Sequence, residues 1–340
     1  MKAKTHPNQH VFCAYCVYPT GLQVKHPQTG ETLKFSSHSG KPVCECCESV
    51  LAMGLDAIRR GCDAETERFL ATRKSILFAY SGGLDSTAVL TLLSQECRTR
   101  GIRLDAFTIM TGVKGKVAED NIRNVIRHLG LQDSHRMIDI THATQDDPAV
   151  LAVTGKTLTT FEVYRHCAAT RTLPCGKMCN RIIDRAYAET MRVLGHDTLM
   201  TGGDTPKPDQ DGHFSIHWRK ATGIAIMRGG YAFGLDKLRN RGLVAERKLP
   251  WTHPECGGYD TDCLMPGAYF AQAASGRRRV PLGEVAANYP VVLDYLAERV
   301  RFGIIDRTAG LDAATRLDVP SGAAVREYRE LFDPKRMKRG

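Results

Sequence analysis

Residues 81–86 read Ser-Gly-Gly-Leu-Asp-Ser and follow a continuous apolar run from Ile76 to Tyr80. Beyond them Ala88, Val89, Leu90, Leu92 and Leu93 recur at helical spacing. A buried strand, a glycine turn and a helix start aim free backbone N–H groups and the positive end of the helix dipole at one point, which is an anion site. Gly82 and Gly83 let a phosphate come close to the backbone, and Ser81 and Ser86 offer hydroxyls. An acidic residue in such a site, Asp85, makes sense where it holds Mg²⁺ against phosphates. No Lys follows the glycines, so this is neither the G-x-x-x-x-G-K-S/T loop nor G-x-G-x-x-G.

The second source of chemistry is sulfur: the chain has 12 cysteines. Cys13 and Cys16 form one C-x-x-C, and Cys44 and Cys47 form another within Cys-Glu-Cys-Cys. Two such pairs supply the four thiolates of a tetrahedral Zn²⁺. The spacer between them is rich in Gly, Pro, Ser and Thr, so a metal clamp would account for its order. Cys46 is an alternative to Cys47, and His26 and His38 read as solvated loop histidines. Cys62 and Cys97 fall in helical patterns and read as small core residues. Cys175 and Cys179 open a helical segment, where the helix N-terminus is expected to lower their pKa values. Cys256 and Cys263 lie in a glycine-rich loop, and Cys167 is just upstream of the pair.

The hexapeptide SGGLDS after an apolar strand resembles the PP-loop of the ATP pyrophosphatases, also called adenine nucleotide alpha-hydrolases. The resemblance spans roughly residues 72–270. It implies an ATP·Mg²⁺ site at Ser81, Gly82, Gly83, Asp85 and Ser86, and adenine lined by the second strand near Met110. It also implies cleavage between the alpha and beta phosphates with adenylation of a carbonyl oxygen. The segment DTLMTGGDTPK (197–207) is similar to the strand and TGH turn of the thiolases in that family, with Gly-Gly-Asp in place of the His. Gly203 and Asp204 are therefore expected to touch ATP or Mg²⁺.

In layout the chain looks like the tRNA thiolation branch (2-thiocytidine and 2-thiouridine synthetases), whose three cysteines hold a [4Fe–4S] cluster with one open iron. Cys175, Cys179 and Cys256 occupy matching places, Cys263 is a spare fourth, and the pair is spaced C-x-x-x-C here. Three readings stay open: a cluster or other catalytic metal, a redox or persulfide-carrying pair, and a second zinc held by all four. The first two imply sulfur transfer, with Asp85, Cys175, Cys179 and Cys256 as the catalytic residues. The expected substrate is a nucleobase carbonyl of tRNA or of a small nucleotide-like molecule. The sulfur would come from sulfide or a cysteine desulfurase product. CAYCVYPTG and CECC also resemble the opening of N-acetyl sugar amidotransferases, which makes ammonia-dependent ligation the alternative.

These residues need a scaffold. Residues 102–111, 135–140 and 197–201 read as further strands, and 117–129 and 181–194 as amphipathic helices. Strands alternating with helices predict an α/β fold, a doubly wound parallel sheet with its ligand at the C-terminal strand edge. An N-terminal zinc-binding module (1–55) would precede this domain (56–270). A helical C-terminal extension (271–340) would serve substrate contact or a homodimer. The chain has 340 residues, 42% apolar, long enough to bury a core without staples. No apolar run is long enough for a membrane helix and no secretory signal is seen, so a cytoplasmic location is expected. The net charge is +10, from 47 Lys and Arg against 37 Asp and Glu. This permits tRNA binding, as do Arg277–Arg279, the basic tail and Trp218 in HWRK, but it equally fits a solvated basic face.

Overall fold

The computed structural model describes residues 11–25, 31–170, 172, 174–175, 178–209, 212–219, 222–254, 263–266, 279–280, 282–284, 290–315, 317–318 and 323–332. The chain divides into two compact units. One joins 1–57 to 279–317, and the other joins 58–278 to 318–340.

In the first unit, β1 (Phe35–His38) and β2 (Lys41–Cys44) form an antiparallel hairpin that runs directly into α1 (Glu45–Met53). Two helices from the far end of the chain, Pro290–Arg301 and Arg307–Thr315, complete the unit. A Cβ on Gly310 would lie 2.4 Å from Val300 Cγ2 and 3.2 Å from Val17 Cγ1, so only a glycine permits this helix approach. Tyr18 is fully buried and donates to Asp294 Oδ1 at 2.9 Å. The expected C-terminal extension is thus not a separate body. Its Pro290–Arg301 helix buries Val292, Leu293, Leu296, Ala297 and Val300, and its Arg307–Thr315 helix buries Ala314, both in the cysteine unit, while the Ala323–Leu331 helix belongs to the other. Pro290 opens the first of these helices, and Pro fits the first position of a helix.

The second unit starts in α2 (Leu55–Thr72) and continues with β3 (Ser75–Ala79), α3 (Leu84–Arg100), β4 (Arg103–Met110), α4 (Lys116–His128) and β5 (His135–Asp139). A short pair, β6 (Thr144–Gln145) and β7 (Leu158–Thr159), flanks α5 (Pro148–Thr154) and leads to α6 (Thr160–Thr170) and α7 (Met178–Leu194). Then come β8 (Thr198–Thr201), β9 (Ile216–Arg219), β10 (Ile224–Arg228), α8 (Gly229–Ala232) and α9 (Lys237–Glu246).

Six strands form one sheet in the order β5-β4-β3-β8-β10-β9. Every neighbouring pair is parallel except the β9–β10 hairpin at the edge. Side chains alternate along β3. Ile76 and Phe78 join α3 and α4 residues Val89, Leu90, Leu93, Ile122 and Val125 in one core. Leu77 and Ala79 face the other way, toward Ile183, Ala186 and Met191 of α7. Helices therefore cover both faces, which explains why β3 is apolar throughout. The α/β class and the parallel-rich sheet agree with the sequence reading. The sequence did not mark β9 as antiparallel.

One buried carboxylate braces the sheet edge. Glu65 of α2 accepts from Phe214 N and Ile216 N at 3.1 Å each, and pairs with His213 Nδ1 at 3.0 Å. Phe214 packs so tightly on α2 that a Cβ on Gly61 would lie 2.4 Å from its ring.

Candidate functional site

The SGGLDS turn sits at the C-terminal end of β3, between α3 and α4. Gly82 has φ +86°, and a Cβ there would lie 2.6 Å from the Ala118 carbonyl oxygen and 2.8 Å from Ile122 Cγ1. Only glycine satisfies both limits. Three side chains fix the outer carbonyls. Trp251 Nε1 donates to Gly82 O at 2.9 Å, Asn121 Nδ2 to the same oxygen at 3.4 Å, and Lys114 Nζ to Ser81 O at 2.9 Å. Gly83 is the N-cap of α3 and supplies no side-chain cap, so the first-turn N–H groups stay available to an anion. Ser86 Oγ and Thr87 Oγ1 donate back to Gly83 O at 3.1 and 2.8 Å, and the Ser81 and Ser86 hydroxyls lie 3.0 Å apart.

Gly82→Ala is expected to lower stability by about 2 kcal/mol or more, since it combines a left-handed φ with a backbone collision. Denaturant unfolding checks this.

The loop after β8 closes on this turn. A Cβ on Gly202 would lie 2.4 Å from Ser86 Cα and 2.6 Å from Ser86 N, so the two loops touch backbone to backbone. Gly203 packs against the Arg228 side chain, whose Nη2 donates to Thr205 Oγ1 at 2.7 Å. Asp204 is 1% exposed. Lys237, at the start of α9, forms an ion pair with Asp85, and its Nζ lies 3.9 Å from Asp204 Oδ2. Asn240, one turn on, donates from Nδ2 to Asp85 Oδ1 at 2.8 Å. Met110 ends β4 at the same edge of the sheet, next to the turn. The structure thus brings Ser81, Gly82, Gly83, Asp85, Ser86, Gly203 and Asp204 together. It adds Lys237, Asn240, Asn121, Trp251 and Lys114, which carry no motif of their own.

Cysteines approach the same region from the α4–β5 side. Tyr164 of α6 is buried and its hydroxyl lies 3.2 Å from Cys179 Sγ. Burial pushes that phenol well above its ordinary value, reinforced by the nearby Cys179, Cys263 and Cys175. Cys179 and Cys263 pack on a core made of Val113, Val163, Tyr164, Cys167, Met178 and Leu264. Cys263 bridges the backbone of Lys114, the residue whose ammonium holds the Ser81 carbonyl. The backbone of Cys263 is thereby tied to the SGGLDS turn.

Two expectations about this group change. Cys175 lies in a turn before α7 rather than on the helix, so it and Cys179 do not share a helix face. Its pKa is raised rather than lowered, by burial first and then by Cys179 and Cys263. Cys256 lies outside the described residues, as do His26, Arg277, Arg278 and the basic tail.

The N-terminal thiols are arranged differently. Cys13, Cys16, Cys44 and Cys47 are all buried and their sulfurs all lie within 4.8 Å of one another. One thiophilic ion bonded to four thiolates at about 2.3 Å needs sulfurs at about this separation, whereas a four-iron cube would spread them wider. The donor set and its burial fit zinc. Tyr15 N and Cys44 N point at Cys13 Sγ at 3.5 and 3.4 Å, and Arg301 Nε at Cys47 Sγ at 3.4 Å. Without an ion the thiols share protons. A hydrogen bond from Cys16 pulls Cys13 down to about 6, a hydrogen bond with Cys13 likewise holds Cys44 low, and burial pushes Cys16 up. Cys46 is half-buried and outside the group. Among the described residues, Cys175, Cys179 and Cys263 form no comparably tight group.

No family model matches the chain. An uncharacterized protein of Methanocaldococcus jannaschii, MJ1599, is 24% identical to it over 318 residues, covering 91% of this chain and 94% of that protein. Among solved structures, the U34-tRNA thiolase NcsA from Methanococcus maripaludis with its [4Fe-4S] cluster aligns over 92% of this chain and 89% of its own, at 14% identity and a TM-score of 0.37. No helix among the described residues is long and apolar enough to cross a membrane. Trp218, on edge strand β9, is 58% exposed beside Arg219, which pairs with Asp184 at 3.4 Å.

Proposed function

We propose that the protein is a PP-loop ATP pyrophosphatase that replaces a nucleobase carbonyl oxygen with sulfur, releasing AMP and pyrophosphate. One observation carries the reading: Lys114, whose ammonium holds the Ser81 carbonyl, pairs backbone to backbone with Cys263, which packs on the same core as Cys179. An anion site alone would fit many nucleotide enzymes. An anion site next to a cysteine-bearing core fits activation of oxygen followed by delivery of sulfur.

The steps balance without a redox partner. The substrate carbonyl oxygen attacks the alpha phosphate, and the bond to the beta-phosphate oxygen breaks. The α3 N–H groups and the Ser81 and Ser86 hydroxyls take up charge on the departing pyrophosphate. Sulfur at the sulfide level then adds to the activated carbon, AMP leaves with the former carbonyl oxygen, and the sulfur loses its proton. Asp85 and Asp204 would hold Mg²⁺, which offsets phosphate charge when bound. Cys175, Cys179 and Cys263, with Cys256, would hold a [4Fe–4S] cluster, whose open iron would supply a binding place for sulfide; a persulfide carried on Cys179 instead would leave a disulfide with a second cysteine, which an external thiol would have to reduce. Tyr164 orients Cys179 in either case. The N-terminal four would hold a structural Zn²⁺. We favour tRNA as substrate: Trp218 offers a face on which a base can stack, beside a cation.

The test is anaerobic incubation with ATP, labelled sulfide and bulk tRNA. Pyrophosphate release with label in the RNA is the expected result, and tRNA binding should weaken steeply with salt. Cys179→Ala should abolish incorporation of label while ATP still binds. Release of orthophosphate, or incorporation of ammonia in place of sulfide, would overturn the reading, the latter in favour of an amidotransferase.

A further inference from the structure

Lys237 is the feature that the proposed reaction leaves unexplained. Its ammonium is paired to Asp85 and lies 3.9 Å from Asp204 Oδ2, and its side chain is only 12% exposed. Asp85 and Asp204 are the two carboxylates that the proposed function assigns to Mg²⁺. A third oxygen belongs to the same cluster. Asn240 is fully buried, gives its Nδ2 to Asp85, and leaves its Oδ1 without a hydrogen-bond partner among the described residues. A buried amide oxygen and two carboxylates make a hard-oxygen donor set suited to a divalent cation. In the structure the cation against that set is the protein's own.

We infer that Lys237 is a built-in counter-ion that keeps the two carboxylates from binding a divalent metal until nucleotide arrives, and that its ammonium then moves to the phosphates. The inference rests on the ATP·Mg²⁺ reading of this site. Its charge logic is simple. Two carboxylates, one buried and the other 16% exposed, repel each other and lose hydration without a cation, so an empty pair is costly. Lys237 removes that penalty in the resting protein. It also blocks free Mg²⁺, because an ammonium and a divalent ion cannot share the two oxygens at contact distance. ATP changes the balance, since its phosphates offer the ammonium an anion of higher charge next to the α3 N-terminus. Metal and nucleotide therefore enter together. The lysine stem is flexible, so the head group can move without backbone motion. Lys237 acts here as a positioning residue.

The experiment is a titration with Mn²⁺ alone, followed by electron paramagnetic resonance of the free ion, on the full chain without nucleotide. Wild type is expected to bind Mn²⁺ weakly at this site. Lys237→Met should bind one Mn²⁺ at least tenfold more tightly, and Lys237→Met combined with Asp204→Asn should lose that gain. ATP binding should weaken about tenfold in Lys237→Met. Lys237→Arg, which keeps the charge, should behave like wild type toward Mn²⁺. Near-UV circular dichroism shows whether each variant is folded, and Lys237→Gln is a second neutral variant should Lys237→Met fail. Equal Mn²⁺ affinity in wild type and the folded neutral variant would overturn the inference. The titration contains no ATP, so its failure is separate from failure of the pyrophosphatase reading, which shows as absence of ATP-dependent pyrophosphate release in wild type.

Discussion

Asp85→Asn is expected to reduce ATP-dependent pyrophosphate release by roughly a thousandfold while the protein stays folded. The two effects separate because the carboxylate has two roles. Structurally, Asp85 accepts from Asn240 at 2.8 Å and pairs with Lys237, and an amide oxygen still accepts a bond from either. Chemically, its charge is half of the pair that would face the metal, and an amide does not replace it. Removing a fixed charge from a water-poor site that stabilises departing phosphate typically costs ~10²–10³-fold or more in rate. The variant also leaves Lys237 with only Asp204, at 3.9 Å, as a charged partner in this group. Stopped assays of pyrophosphate and thermal unfolding, run side by side, check the result. Near-wild-type turnover would remove Asp85 from the reaction.

The second large effect is on folding. Cys44→Ser, or removal of metal by a strong chelator, is expected to unfold the whole first unit, including helices more than 240 residues away in sequence. Structural zinc sites contribute on the order of 10 kcal/mol of binding free energy that is also folding free energy. The reach of the loss follows from the contacts. Arg301 Nε lies 3.4 Å from Cys47 Sγ, and Arg307 Nη2 donates to Cys13 O at 2.7 Å. Four thiolates around Zn²⁺ carry two net negative charges, which these cations offset. Without the ion and its full set of thiolates, the half-buried arginines lose much of the negative charge they face, a costly arrangement. Hydrogen exchange should show loss of protection in α1 and in the Pro290–Arg301 and Arg307–Thr315 helices together, while the β3–β4 region stays protected. Loss confined to residues near Cys13–Cys47 would refute the coupling.

What the sequence revealed, and what it hid, has a physical pattern. The strand, turn and helix around SGGLDS were legible because each signal is local: an apolar run, two glycines, a helical period. The paired C-x-x-C motifs were legible for the same reason, and the four sulfurs do converge. Lys237, Asn240 and Trp251 were hidden. Each reaches Asp85 or Gly82 across some 150 residues or more, and an isolated Lys or Asn on a polar helix has no distinguishing pattern. A charged residue three positions past Gly234, near a Gly-Gly pair, is at most a weak hint. The described helices of the C-terminal extension divide between the two units, which the sequence did not mark, because periodicity gives the buried face of a helix and not its partner. Gly310, with room only for hydrogen against Val300, marks that partner in hindsight.

The split first unit also sets an order of assembly during translation. Its four thiols leave the ribosome some 250 residues before Arg301 and Arg307. At ~5–20 residues per second, roughly 10–50 s separate Cys47 from the helix that covers it. Throughout that interval residues 58–278 can fold as an insertion between the two halves of the first unit. Any metal taken up by the nascent cysteines would meanwhile lack the cations that later offset its thiolates. The first unit can thus close before the Ala323–Leu331 helix of the second has been made.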